Sequence, residues 1–220
     1  MSKKVVLDPG HGAETAGKRS PDGTYLEHEF NLDMAKRLKS LLEGHGVQVV
    51  LTREDEHDIS NTRRAEISNQ EKPDLFVSLH SNAAGDGTKW MSARGYGVYT
   101  SAADEQAGRN KCAKALLKRA QEGGVPLWGG GMHHASFTVL TKTAAPAVLI
   151  EHLFHDNEED VALLKSEACR VKLAEVDCKG ILDYLGIAWN SGLALTQRPI
   201  HTAHCPFCGL AIRLERGVSL

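Results

Sequence analysis

Apolar positions along this chain fall into two rhythms. Residues 4–8 (KVVLD) form a short apolar run that stops at Pro-Gly-His-Gly, the mark of a buried strand entering a loop. Phe30, Met34, Leu38, Leu41 and Leu42 recur at helical spacing and end at Gly44 and Gly46, which predicts an amphipathic helix over about 29–43. Strands are expected again at 47–53, 74–82, 95–101, 137–141 and 146–151, with the last one ending on Glu151. Helices are expected from a cap at Asp58 or Ser60 to about 70, then over about 103–122, 157–165 and 167–185. Strands that are apolar almost throughout, alternating with helices, predict an α/β fold: a mixed, mostly parallel sheet with helices on both faces. The same continuity tells against a β-sandwich.

Beyond Trp189 the rhythm is lost, and a Ser-Gly break, a proline and a His/Cys cluster follow. The organisation expected is a domain over 1–189 and a short C-terminal appendage over 190–220. A net charge of -2 gives no global attraction to nucleic acid. The opening MSKKVVLDPGHG has too few apolar residues for an export signal or a membrane span, so the expectation is a chain made in the cytoplasm without membrane insertion. Of five cysteines, Cys112, Cys169 and Cys178 stand singly in helix-like sequence and read as reduced small hydrophobes.

Chemistry collects at element ends. His11 follows the first strand, Glu27 precedes or enters the first helix, and His80 lies near the end of the third strand. Open α/β sheets gather ligand sites outside the carboxyl ends of their strands. Two imidazoles and one carboxylate match a catalytic zinc set with one position left for water. Spacing alone leaves this open among eleven histidines. Asp8 and Asn82, beside the histidines, can orient imidazoles. WGGGMHHASF (128–137) reads as a mobile cleft wall, so His133 and His134, with Asn82, are candidate substrate contacts.

VVLDPGHG, LEHEFNLDMAKRLKSLLEGHGVQVVLTRED, RAEISN with DLFVSLHSN, and PAVLIEHLFHDN resemble, in order and spacing, the signature blocks of the zinc-dependent N-acetylmuramoyl-L-alanine amidases (amidase type 3) over about 4–185. The resemblance implies His11, Glu27 and His80 as ligands of a catalytic Zn2+, Glu151 as the catalytic glutamate, and peptidoglycan as the substrate. Asn31 sets the register that selects Glu27; one helical step away, Glu29 takes its place. His28 and His152 depart from the family pattern. Two alternatives remain: another zinc hydrolase of wall material, a deacetylase or peptidase, and a non-catalytic wall-binding protein of the same fold. No HExxH helix supports a peptidase, and all four site residues are present. An endolysin-like setting follows, with the wall reached through a pore made by another protein. Only the short AAGDGTKWMSAR stretch follows the third strand, so the cleft is expected to lack a plugging helix.

In the tail, His201, His204, Cys205 and Cys208 form H-x-x-H-C-x-x-C. CPFCG looks like a zinc-ribbon knuckle, which predicts a second, structural zinc. A lone knuckle needs further ligands, supplied by these histidines or by another subunit, which would make a homodimer through the tail.

Overall fold

The computed structural model describes residues 2–102 and 107–193, and the backbone alone of 203–204 and 211–212. Six strands form one sheet: β1 (Lys4–Pro9), β2 (Gln48–Leu51), β3 (Leu75–Asn82), β4 (Tyr96–Thr100), β5 (Leu127–His134) and β6 (Ala147–Phe154). Their order is β2-β1-β3-β6-β4-β5. β1, β2, β3 and β6 run parallel, whereas β4 is antiparallel to β6 and carries β5 parallel to itself. The sheet is mixed and mostly parallel, as the apolar pattern predicts.

Helices α1 (Glu27–Gly44), α3 (Gly108–Glu122), α5 (Glu158–Lys165) and α6 (Glu167–Leu185) cover one face. They bury Val5, Leu7, Val77, Leu79, Val148 and Ile150. The other face is smaller. There Val6, Phe76, Ala147 and Leu149 pack on Val139 and Leu140 of the one-turn α4 (Thr138–Thr141), which α2 (Asn61–Glu71) adjoins. Strand alternation divides one apolar run between two cores. Ser60, of the two expected caps, accepts from the Arg63 N–H at 3.2 Å and starts α2.

Three elements differ from expectation. The expected strand 137–141 is instead a helical turn over Thr138–Thr141, because a single turn aims both Val139 and Leu140 at the sheet. Most of the supposed cleft loop 128–137 is strand β5, interrupted by Gly129, Gly130 and Gly131 at positive φ. β6 passes Glu151 and runs on to Phe154, with Leu153 at φ 65°. Across that stretch His80 and Asn82 pair with Glu151 and Phe154, so β6 carries one extra residue as a bulge. The segment between β3 and β4 contains no helix, in keeping with an unplugged cleft. Among the described residues, no helix is long and apolar enough to cross a membrane.

In the tail, β7 (Ala203–His204) pairs antiparallel with β8 (Ala211–Ile212). His201, Cys205, Cys208 and the side chain of His204 lie outside the described residues.

Candidate active site

The carboxyl end of β1 enters a turn in which every carbonyl is held. Arg53 donates to the carbonyls of Pro9 (2.9 Å), Gly10 (3.1 Å) and His28 (2.9 Å). Arg64, fully buried, donates to those of Pro9 (2.6 Å) and His11 (3.0 Å) and to the Asp8 carboxylate (2.7 Å). The clamp holds His11 in a left-handed backbone, φ 58°. Gly10 leaves room for the neighbouring imidazole: a Cβ there would lie 2.1 Å from His80 Cε1. Asp8 orients no imidazole; it takes hydroxyl bonds from Thr52 (2.5 Å) and Ser78 (2.7 Å) and pairs with Arg64.

His11, Glu27 and His80 converge so that one ligand atom from each lies within 4.8 Å of the others. Glu27 opens α1, its N–H bonded to the Lys18 carbonyl at 3.0 Å, and its Oε1 sits 3.0 Å from His80 Nδ1 and 3.5 Å from His11 Nε2. Glu29 is exposed and stands outside this cluster, so of the two glutamates Glu27 is the one that joins the histidines. Burial alone would raise the Glu27 pKa, but the hydrogen bond and charge of His80, with His11 and His155, hold it at about 2. Burial holds His11 at about 4, so its imidazole is neutral in the physiological range. Glu27 Oε2 is buried without a hydrogen bond. A carboxylate, a neutral imidazole and an orphaned oxygen in one place suit a divalent cation.

Glu151 pairs with His80 across β3 and β6. Its Oε2 is buried and unpartnered. Desolvation first, then the charge of Glu27, pushes its pKa well up, while Lys18 opposes them. Lys18 also lowers His11, so its positive charge is felt by both groups.

The residues behind the site escape sequence reasoning. His155 Nδ1 lies 3.1 Å from Ser81 Oγ and 3.7 Å from Glu27 Oε2, and Tyr25 donates to Ser81 Oγ at 2.8 Å while its ring stacks on His155. His152 faces away from Glu151: its Nδ1 is 3.0 Å from the His80 carbonyl, and its Nε2 is 2.6 Å from Asp177 Oδ2. The bulge at Leu153 breaks alternation, which hides His155 from a period-two reading. Asn82 accepts from the Ala83 N–H at 2.9 Å and adjoins the Tyr99 hydroxyl. His133 lies on the Glu151 side of the sheet, whereas His134 is exposed and its Nδ1 meets Thr100 Oγ1 at 2.8 Å.

The N-acetylmuramoyl-L-alanine amidase family model matches residues 5–183. The endolysin of Bacillus phage SPP1 is 36% identical over 194 residues, which cover 87% of this chain and 69% of that protein. N-acetylmuramoyl-L-alanine amidase AmiA of Escherichia coli K12 is 30% identical over 218 residues, 82% of this chain and 75% of AmiA. Among solved structures, the catalytic domain of the amidase CwlV from Bacillus (Paenibacillus) polymyxa superposes with a TM-score of 0.74 at 30% identity, covering 84% of this chain and 99% of that one.

Proposed function

Since the chain belongs to the N-acetylmuramoyl-L-alanine amidase family, we propose that it cuts the amide between N-acetylmuramic acid and L-alanine of peptidoglycan as a zinc enzyme. In this reading His11, Glu27 and His80 hold the zinc and Glu151 moves the proton. The observation that carries it is the convergence of three ligand atoms within 4.8 Å beside an unpartnered carboxyl. Two imidazoles and a carboxylate leave a four-coordinate zinc one open position. When bound, the metal supplies Lewis acidity and brings the pKa of a water near 7.

The chain's own groups supply the rest. Glu151 accepts the proton of the attacking water and returns it to the departing alanine nitrogen, which leaves only when protonated. Ser81 orients Glu27 from behind through its backbone N–H at 3.2 Å, and His155, whose Nδ1 meets the Ser81 carbonyl at 2.9 Å, stands behind Ser81. The endolysin relative supports action on the cell wall, reached after lysis or through another protein's pore. Residues 190–220 then form a small appendage to this catalytic unit.

Purified cell walls provide the test. The protein should release stem peptides with a new N-terminal alanine, and chelator should stop release while the far-ultraviolet circular dichroism stays unchanged, because the apolar core does not depend on the metal. Release that persists in chelator rejects the metal reading. Free acetate in place of N-terminal alanine would make the chain a deacetylase.

A further inference from the structure

β5 meets β4 irregularly. Tyr96 pairs with Leu127, but Val98, two residues on, pairs with Met132, five residues on. Trp128 and the three glycines are thrown out of register, and the positive φ of Gly129, Gly130 and Gly131 lets the chain fold back. As a result Trp128 stacks on His133 with ring centroids 4.2 Å apart, and Tyr99 flanks the imidazole at 5.1 Å. Phe137, 41% exposed, extends the cluster beyond Tyr99 at 5.3 Å.

This shelf lies beside the reactive carboxyl. Gly97 pairs directly with Glu151 on the adjacent strand, about 4.8 Å away. A Cβ on Gly97 would lie only 3.3 Å from His133 Cδ2, so the imidazole occupies the space above Gly97. Tyr99, on the same face, senses the Glu151 charge. Among the described residues His133 Nδ1 has no hydrogen bond, whereas Nε2 lies 3.1 Å from the Trp128 carbonyl. A carbonyl only accepts, so in the tautomer that donates to it from Nε2, Nδ1 is an acceptor.

We infer that Trp128 and His133 form the subsite for the amino sugar of the substrate. The inference rests on the amidase reading, in which the acyl side of the scissile bond carries an N-acetylmuramoyl group. A pyranose ring offers a flat C–H face to stack on the indole, which the imidazole backs from its other side, and its hydroxyl or acetamido N–H can donate to His133 Nδ1. Gly97 is a specificity-determining position because a side chain there presses on the imidazole, which must give by a few tenths of an ångström.

Two soluble substrates test the inference: an N-acetylmuramoyl peptide, and the matching N-lactoyl peptide, which keeps the amide and lacks the ring. Trp128→Ala and His133→Ala should each reduce the kcat/KM preference for the sugar-bearing substrate about tenfold, the contribution of one well-stacked ring. Gly97→Ala should reduce the preference in the same direction by a smaller factor, without touching either ring's chemistry. In labelled wild-type protein, methyl N-acetylmuramide should move the indole N–H resonance of Trp128 saturably and leave that of Trp189 in place, a readout that survives if a variant fails to fold. Equal losses on both substrates, or an indole resonance that responds to stem peptide and not to the sugar, would overturn the assignment. Wall hydrolysis by the wild type is scored separately, so its absence would indict the amidase reading instead.

Discussion

Replacing Arg64 by Met tests how the fold holds its site. Arg64 uses each of its N–H groups: on Ile59 (3.0 Å), Pro9 (2.6 Å), His11 (3.0 Å), Asp8 (2.7 Å) and Asp58 (2.8 Å). Bonds to carboxylates contribute about 1.5–3 kcal/mol each and those to carbonyls about 0.5–1.5 kcal/mol. Desolvating the guanidinium offsets several kcal/mol of that sum. Asp58 is one-third exposed, so its pair counts for little. What decides the outcome is Asp8, left charged and buried with only Thr52 and Ser78. Breaking a buried pair costs about 3–5 kcal/mol, and the two hydroxyls argue for the lower end. Urea unfolding of the metal-free variant should show about 3 kcal/mol less stability. Because the His11 carbonyl is released too, metal affinity should fall about 10–100-fold. A loss under about 1 kcal/mol, or unchanged metal affinity, would refute the view that this guanidinium sets the His11 turn.

Glu151→Gln should lower turnover by about 10²–10⁴ while the metal is retained; near-wild-type turnover would remove Glu151 from the mechanism. The same variant has a pH signature. The folded pKa of Glu151 lies above its ordinary 4.5, so the native state holds more protons than the unfolded one in that window, and metal-free wild type loses stability as pH rises. The variant lacks that component, so its stability relative to wild type should increase from about pH 4.5 toward neutrality, and a pH-independent difference would contradict the raised pKa. Lys72 caps α2 from a left-handed conformation at φ 49° and is exposed. Lys72→Gly should therefore raise stability by about 0.5–1 kcal/mol, a melting shift of about 2 °C, and no gain would mean the turn is unstrained. Cys205→Ser/Cys208→Ser should lower zinc content by about one ion per chain, or about half an ion if two chains share the site, and leave wall hydrolysis in place, whereas unchanged zinc content would reduce the tail to a plain extension.

Sequence patterning exposed the parts that physics makes periodic. β1, β3 and β6 are covered on both faces, so their apolar runs are nearly unbroken, and α1 repeats Phe30, Met34, Leu38 and Leu41 because one stripe faces the sheet. His11 and His80 could be placed at one edge because parallel neighbours deliver their carboxyl ends there, but it was the family resemblance that singled them out among the histidines. β5 was hidden because its glycines carry turn signals inside a strand. The Val139–Leu140 pair was misread because a short apolar run with β-branched residues has no period long enough to separate strand from helical turn. His155 was missed because its approach to Glu27 depends on the extra residue at Leu153, a backbone event without a composition signal.

The costly conformations of this fold surround one point. His11 at φ 58° and the fully buried Leu153 at φ 65° lie on either side of the His80–Glu151 pair, and both Glu27 and Glu151 keep a buried oxygen without a partner. A left-handed non-glycine residue costs about 1–2 kcal/mol, and an unsatisfied buried acceptor about 1–3 kcal/mol. Such features persist only where rigid surroundings over-determine them. Here the surroundings are named: Arg53 and Arg64 clamp the first turn, and on the far side of the sheet Asp177 of α6 holds His152, whose other nitrogen meets the His80 carbonyl. Tyr96 donates to the second oxygen of Asp177 at 2.8 Å, so the support is tied into β4 as well. The helical layer thus reaches through the sheet to the backbone of a candidate metal ligand. Rigidity at that point, which a loop-borne site would lack, lets two desolvated carboxyls stay aimed at one small volume without collapsing onto other partners.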